Sequence, residues 1–183
     1  GPFKKYNPPI VLWVSNIKKM KRPYIFIKLA EELNEKGYKF IMIGRPGNKS
    51  FQYNLDNNIK KIADLQFLGE LSLEKTNEIF SKSSIFVNTS EYEGFANTFI
   101  QAWLREVVVL SFNHDPDDIM MKNGFGFMCN NKNILIKKIE ELLNNEDLIS
   151  HLGNKARKYA LKYHNYEIIG NIYINTFKML LNK

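Results

Sequence analysis

The sequence predicts an α/β domain with a parallel sheet of about six strands, covered by helices on both faces. Short runs such as Ile10-Val11-Leu12-Trp13-Val14-Ser15 and Val107-Val108-Val109-Leu110-Ser111 are almost wholly apolar. Such runs suit strands buried on both sides, whereas a strand with one wet face alternates. Amphipathic stretches lie between them, so strand and helix patterns alternate along the chain. The 183 residues, 44% hydrophobic and 25% charged, suffice for one domain with a core of its own.

Each element has its own signal. Gly1-Pro2 reads as the remnant of a cleaved tag, and residues 3–9, ending in Pro8-Pro9, as a linker. The domain is expected over residues 10–183, and the natural protein is expected to be longer. After the first strand, Asn16 to Arg22 is a loop, and Pro23 suits a first helical turn. Ile25, Ile27, Leu29, Ala30 and Leu33 form a helix stripe that Gly37 ends. Tyr38 to Ile43 is a second strand, stopped by Gly44-Arg45-Pro46-Gly47. Leu55 to Ala63 is a weak helix and Leu65 to Leu68 a short third strand closed by Gly69. Ser72 suits an N-cap for a helix over Leu73–Lys82. Ser84 to Asn88 is the fourth strand, Asn97 to Arg105 a helix, Val107 to Ser111 the fifth strand and Phe125 to Cys129 a sixth. Ile134–Leu143, Asp147–Tyr163 and Tyr166–Leu181 carry helical patterns. The result is a Rossmann-like three-layer domain.

Composition excludes several classes. The single cysteine, Cys129, cannot form an intrachain disulfide, which fits a reducing, cytoplasmic setting. No apolar run approaches the roughly 18 residues of a membrane span. The net charge of +7 fits attraction to phosphates or peripheral association with the inner face of a membrane, and fits better a lysine- and asparagine-rich bias spread over solvated helix faces. Asp115-Pro116-Asp117 contains a D-x-D pattern but suits a turn, and His114, His151 and His164 are not spaced as metal ligands. No metal or other cofactor is expected. The G-x-G-x-x-G fingerprint is absent after the first strand, which argues against an ordinary dinucleotide site.

The informative segment follows the fourth strand: Ser90-Glu91-Tyr92-Glu93-Gly94-Phe95-Ala96-Asn97-Thr98-Phe99-Ile100-Gln101-Ala102-Trp103. Sheets of this kind bind ligands at the carboxyl ends of their strands, and a helix start there offers unpaired amides to an anion. Glu93 and Gln101 lie eight residues apart, about 2.2 helical turns, which places both polar groups broadly on one side. A nucleotide sugar, anionic and rich in hydroxyls, suits this arrangement.

The stretch from Glu93 to Trp103 resembles the donor-site motif of the group 1, or family 4, glycosyltransferases, which have the GT-B fold and usually retain anomeric configuration. Val11 to Pro23 is similar to the first strand and lysine loop of their carboxyl-terminal domain, Phe40-Ile41-Met42-Ile43-Gly44 to its second strand, and Phe67-Leu68-Gly69-Glu70-Leu71 to the strand and turn bordering the base. The resemblance implies one half of a GT-B enzyme, with the amino-terminal domain outside this chain. It implies that the whole enzyme moves a sugar from a nucleoside diphosphate sugar to a hydroxyl acceptor in polysaccharide or glycolipid synthesis. Lys21 then pairs with the diphosphate, Glu93 accepts hydrogen bonds from hydroxyls of the transferred sugar, and these two are the catalytic candidates. Backbone amides of Phe95, Ala96, Asn97 and Thr98 face the phosphates, a role compatible with the Asn97 and Thr98 side chains acting as caps. Gln101 stands where a second glutamate usually holds the ribose. Asn16 stands where many members carry an arginine, so it brings a hydrogen bond but no charge, with Lys18, Lys19 or Arg22 as alternatives for a second cation. Gly44, Arg45, Phe67 and Gly69 are candidates for the nucleobase edge, Phe67 being better suited to the core. Trp13 and Trp103 read as core. The last helix is expected to leave Ile168, Ile172, Ile174, Phe177 and Leu180 exposed for a partner domain. A non-catalytic nucleotide-binding or interaction module is the alternative reading; a nucleic-acid binder ranks last, since no reading element accompanies the charge.

Overall fold

The computed structural model describes residues 3–47, 55 and 57–181. Six strands form one parallel sheet: β1 (Ile10–Val14), β2 (Lys39–Ile43), β3 (Leu65–Phe67), β4 (Ile85–Asn88), β5 (Val108–Phe112) and β6 (Gly126–Cys129). Their spatial order is β3-β2-β1-β4-β5-β6. Every pairing is parallel, with Leu12 opposite Ile41 on one side and Phe86 on the other.

The apolar runs are explained by two cores. Along β1, Val11 and Trp13 join one core while Ile10 and Leu12 join the other. The same two-residue alternation sends Ile85 and Val87 one way and Phe86 the other, and Val108 and Leu110 one way and Val109 the other. A strand buried on both faces has no polar position to reveal its period. Each large side chain buried in this way contributes about 1.5–3 kcal/mol of transfer free energy. Trp13 and Trp103 are 2% and 0% exposed and belong to these cores as expected. Phe26 is also fully buried, so the first helix, Pro23–Glu32, presents a wider stripe than the sequence reading allowed.

The expected elements appear with ends shifted by a residue or two, the usual fraying of helix and strand boundaries. Helix Leu73–Lys82 starts as expected, with Ser72 Oγ accepting from the Lys75 amide. Helices Lys132–Leu143 and Glu146–Tyr163 are capped by Asn131 and Asn145 in the same way. In the stretch read as a weak helix, residues 57–59 are helical and a turn follows; Asp56 lies outside the described residues, as do Asn48 and Lys49 of the loop after β2.

Residues 3–9 do not behave as a free linker. Lys5 Nζ donates to the Arg105 carbonyl at 2.7 Å, the Tyr6 amide to the Lys82 carbonyl at 2.9 Å, and the Arg157 guanidinium lies 5.1 Å over the Phe3 ring. Burial pushes the Lys5 ammonium down to about 8, against the opposing pull of Glu106. A hollow of about 420 Å³ remains between this strap and helix Glu146–Tyr163. It lies at the amino ends of the strands, the wrong end for a ligand in a sheet of this kind.

The last helix, Tyr166–Leu181, stands apart from the core. Ile172, Phe177 and Leu180 are 60%, 60% and 61% exposed, and Ile168 and Ile174 are exposed as well. Among the described residues, no helix is long and apolar enough to cross a membrane.

Candidate functional site

The strand order reverses between β1 and β4, so the loops leaving their carboxyl ends diverge and open a crevice. One loop turns through a 3-10 segment, Lys19–Lys21; the other leads into helix Asn97–Trp103. Between them lies a cleft of about 320 Å³, lined by Val14, Ser15, Asn16, Lys21, Ile43, Gly44, Arg45, Glu70, Leu71, Thr76, Glu93, Ala96, Asn97 and Thr98. Small-molecule sites span about 300–1,000 Å³, and the cleft falls at the lower end of that range.

Lys21 and Glu93, separated by 72 positions, meet inside it: Lys21 Nζ donates to Glu93 Oε1 at 2.5 Å. Ser90 Oγ donates to the same oxygen at 2.7 Å. The two side chains are 18% and 16% exposed, so water screens the pair far less than a surface pair. Burial pushes the Glu93 carboxyl up. The hydrogen bonds from Lys21, Ser90 and Asn88 and the Lys21 charge together outweigh it, and hold the group below the usual carboxylate range. The unfolded chain therefore binds this proton more readily than the folded one. The carboxylate contributes stability above the ordinary glutamate value of about 4.3 and loses it as pH falls through the lower folded value. Urea unfolding from about pH 7 to about pH 3 is expected to give a shallower acid limb for Glu93→Gln than for the native chain. Limbs of equal steepness would assign the acid sensitivity to other carboxylates.

Helix Asn97–Trp103 begins at an N-cap, Ala96, that has no side-chain acceptor. Neither Asn97 nor Thr98 is the cap, contrary to the expectation that their side chains cap this helix. The first amides of any helix lack carbonyl partners from the preceding turn, and here Asn97 and Thr98 border the cleft. Gly44 forms the floor: a Cβ there would lie 1.7 Å from the Ser15 carbonyl oxygen, so only glycine fits. Arg45 stands at the rim, bound through two nitrogens to Glu70, and those hydrogen bonds hold the Glu70 carboxyl below its ordinary value.

Four expected residues do not line the cleft. Phe67 is partly buried against the core that contains Phe40 and Met42. Gly69 serves the backbone instead, its carbonyl accepting the Gly44 amide at 2.8 Å. The Phe95 ring packs on Trp103 and His164, at 6.0 and 5.0 Å between centroids. Gln101 donates its amide to Asn77 Oδ1 at 3.1 Å. The 2.2-turn argument fails for Gln101 because residues 93–96 are not helical, so only the four steps from Asn97 count as helix. Asp115 of the D-x-D pattern accepts the Met120 and Met121 amides at 3.1 and 2.9 Å, the start of a short helix Ile119–Asn123 that the sequence reading missed.

The family described as "Glycosyl transferases group 1" matches residues 2–159. The chain belongs to that family. Among curated relatives it is 26% identical, over 164 residues, to the Campylobacter jejuni GalNAc-alpha-(1->4)-GalNAc-alpha-(1->3)-diNAcBac-PP-undecaprenol alpha-1,4-N-acetyl-D-galactosaminyltransferase, covering 85% of this chain and 44% of that protein. It is 33% identical over 97 residues to a poly(ribitol-phosphate) alpha-N-acetylglucosaminyltransferase of Staphylococcus aureus, 51% of this chain and 20% of that one. The chain thus spans less than half of either relative. A variant of S. aureus TarM, crystallised with fondaparinux, alpha-GlcNAc-glycerol and UDP, superposes with a TM-score of 0.79 at 25% identity, over 95% of this chain and 36% of that one. Anabaena HepE in complex with UDP and glucose shares the fold, with a TM-score of 0.82 at 17% identity over 93% of this chain and 48% of that one.

For this group 1 chain, the geometry narrows the choice of a second cation. Asn16 lines the cleft, whereas Lys18 and Lys19 do not. Arg22 is bound to backbone carbonyls of the loop after β4. Glu70, Leu71 and Thr76 line the cleft without having been singled out as site residues. Their signal was position: they follow the third strand, whose carboxyl end opens on the same crevice.

Proposed function

We propose that this chain is the donor-binding half of a retaining GT-B glycosyltransferase that transfers a sugar from a nucleoside diphosphate sugar to a hydroxyl acceptor. The observation that carries this reading is the meeting of Lys21 and Glu93 in a cleft at the strand-order reversal. An ammonium there neutralises the diphosphate and the charge that develops on it as the glycosidic bond breaks. Its three donors allow it to keep Glu93 while reaching phosphate oxygens. Glu93, ionised and acceptor-only, takes hydrogen bonds from hydroxyls of the transferred sugar. The amides at Asn97 and Thr98 add neutral donors to the phosphates, and Arg45 with Glu70 borders the nucleobase.

The remainder of the enzyme lies in an amino-terminal domain that also supplies the acceptor site. The exposed apolar side chains of helix Tyr166–Leu181 favour a covering partner domain. The named acceptors of the relatives, a diphosphate-linked lipid and a ribitol phosphate polymer, favour a polysaccharide or glycolipid acceptor, met at the cytoplasmic face of the membrane.

Calorimetric titration with UDP, GDP and ADP, followed by crystals soaked in the tightest of them, tests the site. The expected density places the diphosphate between Lys21 and Asn97, with no measurable sugar transfer by the chain alone. Density elsewhere, or rapid transfer by this chain, would contradict the reading.

A further inference from the structure

Arg22 adopts φ 46 and ψ 50, a left-handed conformation that is costly for any side chain except glycine. Such strain persists where surrounding contacts hold it. Here the guanidinium bridges the carboxyl ends of two strands. Its Nε donates to the Thr89 carbonyl at 2.8 Å, and one terminal nitrogen donates to the Ser90 carbonyl at 2.8 Å and to the Phe112 carbonyl at 3.5 Å. It also lies 4.9 Å over the Phe112 ring. The rigid planar fork of arginine suits several carbonyls at fixed spacing, which a lysine ammonium does not reproduce.

Two further bonds join the loops after β1 and β4, and a third ties the loop after β4 to strand β1. Thr89 Oγ1 donates to the Lys21 carbonyl at 2.6 Å, and itself accepts from Trp13 Nε1 at 2.9 Å. The Glu91 amide donates to the Met20 carbonyl at 2.8 Å. Residues 20–22 are thereby fastened to residues 89–91, on either side of the two cleft side chains. These bonds tie the segment that carries Lys21 directly to the loop that carries Glu93, alongside the anchorage that the loop after β1 takes from the Ile17 amide on the Arg45 carbonyl at 2.9 Å.

We infer that Arg22 is a positioning residue of the cleft: by clasping the loop after β4 to the loop after β1, it holds Lys21 against Glu93 and in reach of a bound diphosphate. The diphosphate half of this statement rests on the donor-site reading above; the Lys21–Glu93 half does not.

The test has one readout that needs no ligand. The charged group facing Glu93 is Lys21, with Ser90 and Asn88 as neutral partners. The Glu93 carboxyl is followed by carbon NMR as pH is lowered, in the native chain, Arg22→Gln, Arg22→Lys and the rim control Arg45→Gln. Arg22→Gln is expected to move the Glu93 midpoint up toward the ordinary glutamate value, Arg22→Lys to move it less, and Arg45→Gln to leave it in place. UDP affinity is expected to fall about tenfold in Arg22→Gln, with uridine affinity unchanged. Thr89→Val, which removes the hydroxyl bridge, carries the same readouts should Arg22→Gln fail to fold. A folded Arg22→Gln whose Glu93 titrates as in the native chain overturns the proposal, as does an equal loss of uridine and UDP binding. If Glu93 moves as expected but the native chain binds none of UDP, GDP and ADP, the clasp stands and the nucleotide reading falls.

Discussion

Lys21→Ala is expected to weaken binding of a nucleoside diphosphate by a factor of about 10–100, which is the 1.5–3 kcal/mol typical of hydrogen bonds to a charged group. The corresponding nucleoside, lacking phosphates, is expected to bind the variant and the native chain alike. The size follows from the cleft. Among the described residues Lys21 is the one lysine that lines it, Asn16 is uncharged, and the Arg45 guanidinium at the rim is already bound to Glu70. On the donor-site reading proposed above, the Lys21 ammonium would supply most of the attraction for a diphosphate, with the first amides of helix Asn97–Trp103 beside it. Its effect on stability is expected to be smaller, about 1 kcal/mol, because both partners of the Lys21–Glu93 pair retain some contact with water. Glu93→Gln separates the two functions. It releases the ammonium and is expected to leave UDP affinity undiminished while removing any preference for a sugar nucleotide over UDP. Titration of both variants with UDP and uridine reads this directly. Equal UDP affinity for Lys21→Ala and the native chain would remove Lys21 from the site.

The legible parts of this fold are those governed by burial. β1, β4 and β5 could be read because strands packed on both faces leave continuous apolar runs, and the helix at Leu73 because Ser72 supplies a local cap. The motif singled out Lys21 and Glu93 as candidates, and the structure adds that their two loops bring them within 2.5 Å of each other. What stayed hidden depends on contacts between distant segments. The strap at residues 3–9 is held by Lys5 on the Arg105 carbonyl and Phe3 under Arg157, and neither contact leaves a periodic trace. Helix Ile119–Asn123 is too short to show a stripe. Gln101 went astray because a spacing along the chain was read as a spacing along a helix, and because Asn77, from another helix, engages its amide. The use of Arg22 was invisible for the same reason, since its carbonyl partners lie some 67–90 positions away.

Three glycines near the cleft are expected to respond to alanine in a graded way, and the order tests how the floor is built. Gly44→Ala is the most severe. The new methyl would lie 1.7 Å from the Ser15 carbonyl oxygen and 2.7 Å from its carbon, and backbone atoms cannot rotate aside as a side chain can. Relief requires β1 and β2 to separate at their carboxyl ends. That separation endangers the bonds from the Ser15 amide to Ile43, from the Ile17 amide to Arg45 and from the Gly44 amide to Gly69. A cost of about 3 kcal/mol or more is expected, the upper end of overpacking, and the loops that carry Asn16 and Lys21 move with the strand ends, so nucleotide binding falls with stability. Gly69→Ala meets open space but sits at φ +70; its cost is torsional, about 1–2 kcal/mol. Gly94→Ala has neither a close neighbour nor a positive φ and is expected to change stability by less than about 0.5 kcal/mol. Urea midpoints for the three variants give the ranking. If Gly44→Ala unfolds at the same urea concentration as Gly94→Ala, β1 and β2 do not approach as closely as described, and the cleft has a different floor.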